Sequence, residues 1–344
     1  YLSSFTPYAG EGLAAIPGNA LAGSRLSELE QGDLILLLGS FKHNQIPAIK
    51  ARQAAAKGQK LIVVSNEESL ADDLAWLKIC PEINDIDFLL QVLAVVVQEK
   101  SIGPANADAL WQGLGELTES IQGIKITEAA RQIAELYLGA GRAMILVDGY
   151  TTSIAAVQVM SAVAAIRGHT GSPAGGIIVV SPGGNASGVW QTGYKQPGQQ
   201  VLEALLEGKM QVVWVLGEDP VGCGVIAGET LRKADFLVVL ASYWNETALL
   251  ADIVLPGSLP METNGTYLSS DGSLKRVQRV QQPPSGYDNT AILEAILQGL
   301  DLLAETKTGV FAEKRPSEAQ AEPSLTGGTG QVRLSWPTAG PIFV

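Results

Sequence analysis

Few side chains in this sequence have the type and spacing of a catalytic or metal-binding group. The cysteines are Cys80 and Cys223, too few for a disulfide framework or a four-cysteine iron–sulfur site. We expect both to be small, buried apolar side chains. The histidines, His43 and His169, lie far apart in sequence, and we expect polar surface residues there instead of catalytic groups. The sequence therefore predicts no catalytic residue and no metal ligand.

A better indication of a binding site comes from polar and glycine residues that follow predicted strands. These positions are Gly39-Ser40, Ser65-Asn66, Asp148-Gly149, Gly217 to Pro220 and Ser242-Tyr243. Ligands of open parallel sheets bind at the carboxyl ends of the strands. These short turns are therefore the candidate binding positions. "LGAGRAM" contains Gly-x-Gly, but it follows a helix and lacks the third glycine of a Rossmann motif.

The segment "METNGTYLSSDGSLKRVQRV", residues 261–280, combines an acidic residue with two turn dipeptides and alternating apolar and polar residues. Asn264-Gly265 tolerates positive φ, and Asp271-Gly272 suits a type I′ turn. The pattern predicts a small β-hairpin that follows the strand "DIVLPG".

The elements that position these turns alternate between strands and helices. Predicted strands cover 32–40, 59–65, 143–149, 211–220, 235–242 and 252–257, and a long helix is predicted from Thr152 to Arg167. Because "GDLILLLGS" and "QVVWVLGEDP" are apolar on both faces of the strand, we expect them to be central strands of two separate parallel sheets. The fold class is α/β, with two doubly wound parallel-sheet domains, a small hairpin and an extended tail.

Length and composition divide the chain further. At about 150 residues per domain, the 344 residues suggest two α/β domains, which we place at 1–150 and 151–303, the second with the glycine-rich loop and the hairpin. Residues 304–344 are rich in Glu, Ser, Thr, Gly and Pro, which predicts an extended or poorly ordered tail.

The overall charge excludes some partners. A net charge of −12 argues against nucleic acid and against anionic membrane surfaces, since both require a basic patch. No apolar run reaches the roughly 18 residues of a membrane span, so we expect no direct membrane insertion. Hydrophobic residues make up 46% of the chain and charged residues 17%, which suggests that partner subunits cover apolar surface. The chain opens "YLSSFT" without a signal-peptide pattern, and we expect a cytoplasmic, reducing compartment.

The order of these pieces resembles the molybdopterin oxidoreductase family, with the closest likeness to the large iron–sulfur subunit of bacterial-type respiratory complex I. The resemblance covers roughly residues 25 to 300 and is strongest from Gln211 to Gln278. It implies a fold of the molybdopterin oxidoreductase type, in the peripheral arm on the cytoplasmic side of a membrane-associated NADH:quinone oxidoreductase.

The resemblance also implies positions beside a pterin dinucleotide. We interpret these positions as vestigial cofactor-binding residues, meaning remnants of a binding site. They are Gly39, Ser40, Ser65, Gly217, Glu218, Asp219, Pro220, Glu262, Gly265 and Thr266. The chain departs from the family pattern at Phe41-Lys42 and at Ser65-Asn66-Glu67, where an arginine would help to bind phosphate. A glutamate there adds repulsion and removes a charge-assisted bond. We therefore expect no cofactor in this segment.

The leading hypothesis is a cofactor-free scaffold that is not catalytic by itself, with flavin and iron–sulfur subunits of a complex I-like assembly as partners. Iron–sulfur clusters would lie upstream or in those partners. The alternative is the dinucleotide-binding half of a formate-dehydrogenase-like oxidoreductase that holds molybdopterin guanine dinucleotide with Mo or W. A third possibility is a binding module for another nucleotide.

Overall fold

The computed structural model describes residues 3–4, 25–82, 84–100, 115, 118–119, 121–169, 175–181, 183–191 and 196–300. The chain divides into two compact units. Unit 1 comprises residues 1–201 with 268–275, and unit 2 comprises 202–267 with 276–344. A boundary at residue 150 would separate two neighbouring strands of one sheet, so unit 1 extends beyond the first predicted domain. The predicted tail, 304–344, lies outside the described residues.

The elements follow one another in the alternating order that the sequence predicts. The strands are β1 (Ser3–Ser4), β2 (Leu34–Leu38), β3 (Lys60–Val64), β4 (Leu77–Ile79), β5 (Ala143–Asp148), β6 (Gly176–Val180), β7 (Gln196–Pro197), β8 (Val212–Leu216), β9 (Phe236–Ala241), β10 (Ile253–Pro256), β11 (Gly265–Leu268) and β12 (Leu274–Val277). The α-helices are α1 (Ile46–Ala55), α2 (Asp85–Glu99), α3 (Glu128–Gly139), α4 (Ile154–Arg167), α5 (Ala186–Gln191), α6 (Gly198–Leu206), α7 (Gly228–Leu231) and α8 (Asn289–Gly299). Short 3₁₀ helices cover Leu26–Gln31, Asp72–Leu74, Ala248–Leu250 and Pro260–Glu262.

Unit 1 contains a five-stranded parallel sheet in the order β4-β3-β2-β5-β6. Helix α1 covers one face, and α2, α3 and α4 cover the other. Strand β2 lies in the centre, and every one of its side chains is buried. Its alternate residues enter the two different core clusters, which explains the unbroken apolar run. The predictions of a doubly wound sheet and of a central β2 are confirmed.

Local capping explains where the helices of unit 1 begin. Asn84, Thr127 and Ser153 each precede a helix and accept a hydrogen bond from a backbone N–H of its first turn. Helix α4 therefore begins two residues later than the sequence suggests, after Ser153. It ends at Arg167, and the capping residue Gly168 adopts a left-handed conformation with φ +78°.

Unit 2 contains a three-stranded parallel sheet in the order β10-β9-β8. The prediction that β8 is a central strand is wrong, because among the described residues β8 pairs with β9 alone. Its residues alternate between buried and exposed, and Trp214 on the open face is 42% exposed. An apolar run does not distinguish a central strand from an edge strand whose outer face is also apolar.

The predicted hairpin forms from β11 and β12. Its turn is not type I′, because that turn needs positive φ at two consecutive residues and only Gly272 has it here, with φ +73°. Gly272 N donates to the Ser269 carbonyl at 2.9 Å, as in a type I turn followed by a left-handed glycine. Asn264 and Gly265 are likewise outside the positive-φ region; the Asn264 side chain instead accepts from the Arg279 amide.

Candidate functional sites

A cleft of about 170 Å³ lies at the carboxyl edge of the unit 1 sheet. Its lining includes Gly39, Ser40, Ser65, Asn66, Glu67, Asp85, Thr151 and Thr152. Because β2 and β3 are parallel neighbours, the turns that follow them meet at this edge. The structure thus brings together Gly39, Ser40 and Ser65, three of the predicted site residues. We call this the unit 1 cleft.

A glutamate and a lysine form an ion pair at the mouth of the unit 1 cleft. The Ser40 hydroxyl donates to Glu67 Oε2 at 2.9 Å, and Lys42 Nζ lies 3.2 Å from the same oxygen. The hydrogen bond from Ser40, followed by the bond and charge of Lys42, lowers the pKa of Glu67. Because both side chains are exposed, the ion pair adds little to the folding stability of unit 1. Its importance lies in where it places the Glu67 carboxylate.

Asp148, the last residue of β5, supports the floor of the unit 1 cleft. Its carboxylate is 1% exposed and accepts hydrogen bonds from the amides of Phe41 at 2.8 Å and Tyr150 at 3.1 Å. Phe41 has φ +56°, the only positive φ at a non-glycine residue in the described part of the chain. A Cβ at position 39 would lie 2.5 Å from Asp148 Cβ, so Gly39 is required by this close approach.

In unit 2 the "GEDP" turn follows β8. Gly217 has φ +71° and donates its N–H to the Leu240 carbonyl at 2.8 Å, which fixes the turn to the neighbouring strand. Desolvation raises the pKa of Glu218, and Pro220 is buried. The four predicted residues therefore form an ordered turn at the carboxyl edge of the second sheet.

Asp219 anchors this turn to the segment that follows β9. Its Oδ1 accepts from the Thr247 hydroxyl at 2.6 Å, from the Thr247 amide at 3.1 Å and from the Gly222 amide at 3.0 Å. Desolvation raises the pKa of Asp219, but these hydrogen bonds outweigh it and the net pKa is lowered. Thr247, which is fully buried, was not predicted from the sequence.

We expect Thr247→Val to destabilise unit 2 by about 2 kcal/mol, because the isosteric side chain leaves the Asp219 carboxylate and the Val221 amide each short of a hydrogen bond. Thr247→Ser is the matched control, since it keeps the hydroxyl and should lose about 1 kcal/mol or less. Urea denaturation of the full chain measures both. Equal losses in the two variants would show that the hydroxyl contributes nothing specific.

Glu262 is a buried carboxylate that stabilises its own turn. It is 3% exposed, its Oε2 accepts from the Leu259 amide at 2.8 Å, and its Oε1 accepts from Gln281 Nε2 at 3.0 Å. Gly265, buried, and Thr266, half-buried, then begin β11. The geometry assigns Glu262 a structural role within the Pro260–Glu262 turn.

A second cleft, of about 740 Å³, lies at the carboxyl ends of β9 and β10 in unit 2. Its lining includes Ser242, Tyr243, Trp244, Leu249, Asp252, Glu262 and Ser285. Trp244 is 72% exposed. Tyr267 is half-buried, and the side chain of Trp190 lies outside the described residues. We call this the unit 2 cleft.

The cysteines and one histidine differ from their predicted settings. Cys80 and Cys223 are both exposed, so the prediction of buried cysteines is wrong; Cys80 follows edge strand β4, and Cys223 lies in a turn. His169 is buried against Tyr137, and desolvation, followed by the Arg167 charge, lowers the pKa of His169. His43 is exposed and stacks on Tyr150. Within the described residues, no group of three or more His, Cys, Asp or Glu side chains could hold a metal ion.

Residues 12–290 match the family model described as molybdopterin oxidoreductase. The chain belongs to the molybdopterin oxidoreductase family. The family resemblance inferred from the turns and strands is thereby confirmed. No helix in the described part of the chain is long and apolar enough to span a membrane.

Relatives in this family include two formate dehydrogenase alpha subunits. Those of Methanocaldococcus jannaschii and Methanococcus maripaludis are each 25% identical, over 79% of this chain and 48% of the relative. The alpha subunit of an NADPH-Fe(3+) oxidoreductase from Geobacter sulfurreducens is 24% identical over 77% of this chain and 37% of the relative. This chain therefore spans about half the length of the formate dehydrogenase relatives. None of these three relatives is a complex I subunit, and membership of complex I is not shown.

Solved structures support the fold. Acetylene hydratase from Pelobacter acetylenicus superposes with a TM-score of 0.59 and 14% identity, over 80% of this chain and 50% of the hydratase chain. A chain of the formyltransferase/hydrolase complex from Methylorubrum extorquens superposes with a TM-score of 0.56 and 12% identity. The match covers 86% of this chain and 83% of the chain from that complex. At these identities the likeness concerns the α/β fold alone.

The two clefts differ in how well they suit the dinucleotide form of the family cofactor, which carries phosphates. The unit 1 cleft has carboxylates at Glu67 and Asp85, and the nearby ammonium of Lys42 is already paired with Glu67. These residues do not fit a diphosphate. The unit 2 cleft has the volume of a small-molecule site, and the flat faces of Tyr243 and Trp244 suit a planar heterocycle. Its lining suits the ring system of such a group, whereas the phosphates would meet the carboxylates of Asp252 and Glu262 and no Lys or Arg of the described lining.

Proposed function

We propose that this chain is the dinucleotide-binding half of a formate-dehydrogenase-like molybdenum or tungsten oxidoreductase. The observation that carries the proposal is the extent of similarity: two formate dehydrogenase alpha subunits align over 79% of the chain. This favours the enzyme over the complex I scaffold that the sequence resemblance suggested first.

In this proposal the unit 2 cleft holds the cofactor. Trp244 would stack on a planar ring of the dinucleotide, and the ordered Gly217–Pro220 turn would hold the segment after β9 through the hydrogen bond between Asp219 and Thr247. Glu262, Gly265 and Thr266 would position the wall of the cleft and its hairpin. When bound, the pterin-held metal would supply the redox chemistry, while the residues of this chain bind and orient the group.

The proposal includes partner subunits. The relatives in the two methanogens and in Geobacter are named as alpha subunits, which supports a place in a multi-subunit oxidoreductase. Iron–sulfur clusters would lie in those partners or elsewhere in the same polypeptide. The apolar outer face of β8 is one surface that such a partner could cover.

Formate oxidation by the natural assembly that contains this chain tests the proposal. We expect formate-dependent reduction of a viologen dye, and we expect Trp244→Ala to lower both cofactor content and turnover by about tenfold, because stacking on one ring contributes about 1–3 kcal/mol. Trp76→Ala, at a tryptophan that is 54% exposed in unit 1, is the matched control and should leave both unchanged. Absence of formate oxidation, or equal effects of the two substitutions, would contradict the proposal.

A second candidate function is the redox-silent scaffold of a complex I-like NADH:quinone oxidoreductase. The specific observation in its favour is Glu67, which faces Lys42 and Ser40 where the family resemblance implies phosphate. In that case deletion of this segment would lower the amount of assembled complex. The flavin and cluster chemistry of each remaining assembled complex would survive.

A further inference from the structure

We infer that Glu67 is the specificity-determining residue of the unit 1 cleft: its carboxylate takes the position of a ligand phosphate and closes the cleft to diphosphates. The inference does not rest on the proposed function, which concerns the unit 2 cleft. It would hold equally for an enzyme and for a redox-silent scaffold.

The donors at the mouth of the unit 1 cleft converge on one atom. The loop after β2 offers two side-chain donors at the carboxyl edge of the sheet, the Ser40 hydroxyl and the Lys42 ammonium. Both are directed at Glu67 Oε2, at 2.9 and 3.2 Å. A hydroxyl and an ammonium that converge on a single anionic oxygen are the arrangement that a phosphate oxygen would otherwise use.

The backbone holds Glu67 in this position. Its amide donates to Ser65 Oγ at 3.1 Å, and Ser65 itself is buried at the end of β3. The turn that follows β3 is thereby fixed with the glutamate directed across to the loop after β2. The Ser40 hydrogen bond and then the Lys42 interactions lower the pKa of Glu67, so these contacts favour the charged form of the carboxylate.

The charge that remains for a ligand is unfavourable to anions. Lys42 is the cation paired at the cleft mouth, and Asp85 adds a second carboxylate to the lining. A diphosphate that entered would meet two carboxylates and one ammonium already in use. The unit 1 cleft therefore excludes anions, whereas removal of the Glu67 charge would release both donors.

Calorimetric titration tests the inference. Inorganic pyrophosphate and GDP are each titrated into the full chain at low ionic strength, and their binding affinities are measured. We expect no measurable binding to the wild type and a gain in affinity of about tenfold or more in Glu67→Gln. In the double variant Glu67→Gln with Lys42→Ala the gain should disappear. Glu68→Gln, at the neighbouring exposed glutamate, is the matched control and should bind as weakly as the wild type.

Two outcomes would overturn the inference. One is no gain in affinity over the wild type in a Glu67→Gln variant that is folded and melts normally. The other is an equal gain in Glu68→Gln, which would indicate a general effect of net charge. Because none of these measurements involves molybdenum, tungsten or formate, their failure is distinguishable from failure of the proposed function.

Discussion

Leu37→Asp is expected to unfold unit 1. Leu37 lies in the central strand β2 and is fully buried among the α1-side core residues, so the substitution places an unpaired carboxylate between apolar side chains. The expected loss is about 4 kcal/mol or more, a large part of the stability of a single domain. Urea denaturation followed by far-UV circular dichroism measures it on the full chain.

Leu70→Asp is the control for this prediction. Leu70 has the same side chain in the same unit, but it is 47% exposed in a turn, so its substitution should change stability by about 1 kcal/mol or less. If Leu37→Asp gave a soluble protein with the wild-type denaturation midpoint, the central, doubly covered position of β2 would be wrong.

The second large effect is expected at Asp148. Asp148→Ala removes the acceptor of two buried or partly buried backbone amides, at Phe41 and Tyr150, and leaves Phe41 in its left-handed conformation without support. We expect a loss of about 3 to 5 kcal/mol, since each unsatisfied buried amide costs about 1–3 kcal/mol.

Asp148→Asn separates these contributions, because an asparagine keeps one acceptor oxygen and the size of the side chain. Its loss should be about half that of Asp148→Ala. Glu68→Ala removes an exposed carboxylate of the same unit and should change stability by about 0.5 kcal/mol or less. Wild-type stability of Asp148→Ala would show that the loop after β2 is held by other contacts.

The strand pattern shows how far the sequence predicts the fold. The run "LILLL" correctly indicates a strand buried on both faces, because β2 has helices above and below it. The similar run "VVWVL" does not have that setting, since in the described part of the chain β8 is an edge strand with Val212, Trp214 and Leu216 on an open face. Apolar residues in a sequence indicate which faces of a strand can be buried. Whether a face is buried depends on which strands and helices pack beside it.

The candidate sites show the same limit for polar residues. Turns after parallel strands are visible in the sequence, and Gly39, Ser40 and Ser65 do meet at one edge. The partners of those turns are distant in sequence: Asp148 is 107 residues from Phe41, and Thr247 is 28 residues from Asp219. Such long-range hydrogen bonds leave no periodic signal, so the roles of Asp148 and Thr247 emerge from the structure.

The most direct test of the proposed function is the cofactor content of the natural polypeptide that contains this chain. Molybdenum and tungsten are measured by mass spectrometry, and pterin by its fluorescence after acid oxidation. We expect a stoichiometric amount of one of the two metals together with pterin. An assembled preparation with intact iron–sulfur clusters but neither metal nor pterin would contradict the proposed function and would favour the redox-silent scaffold.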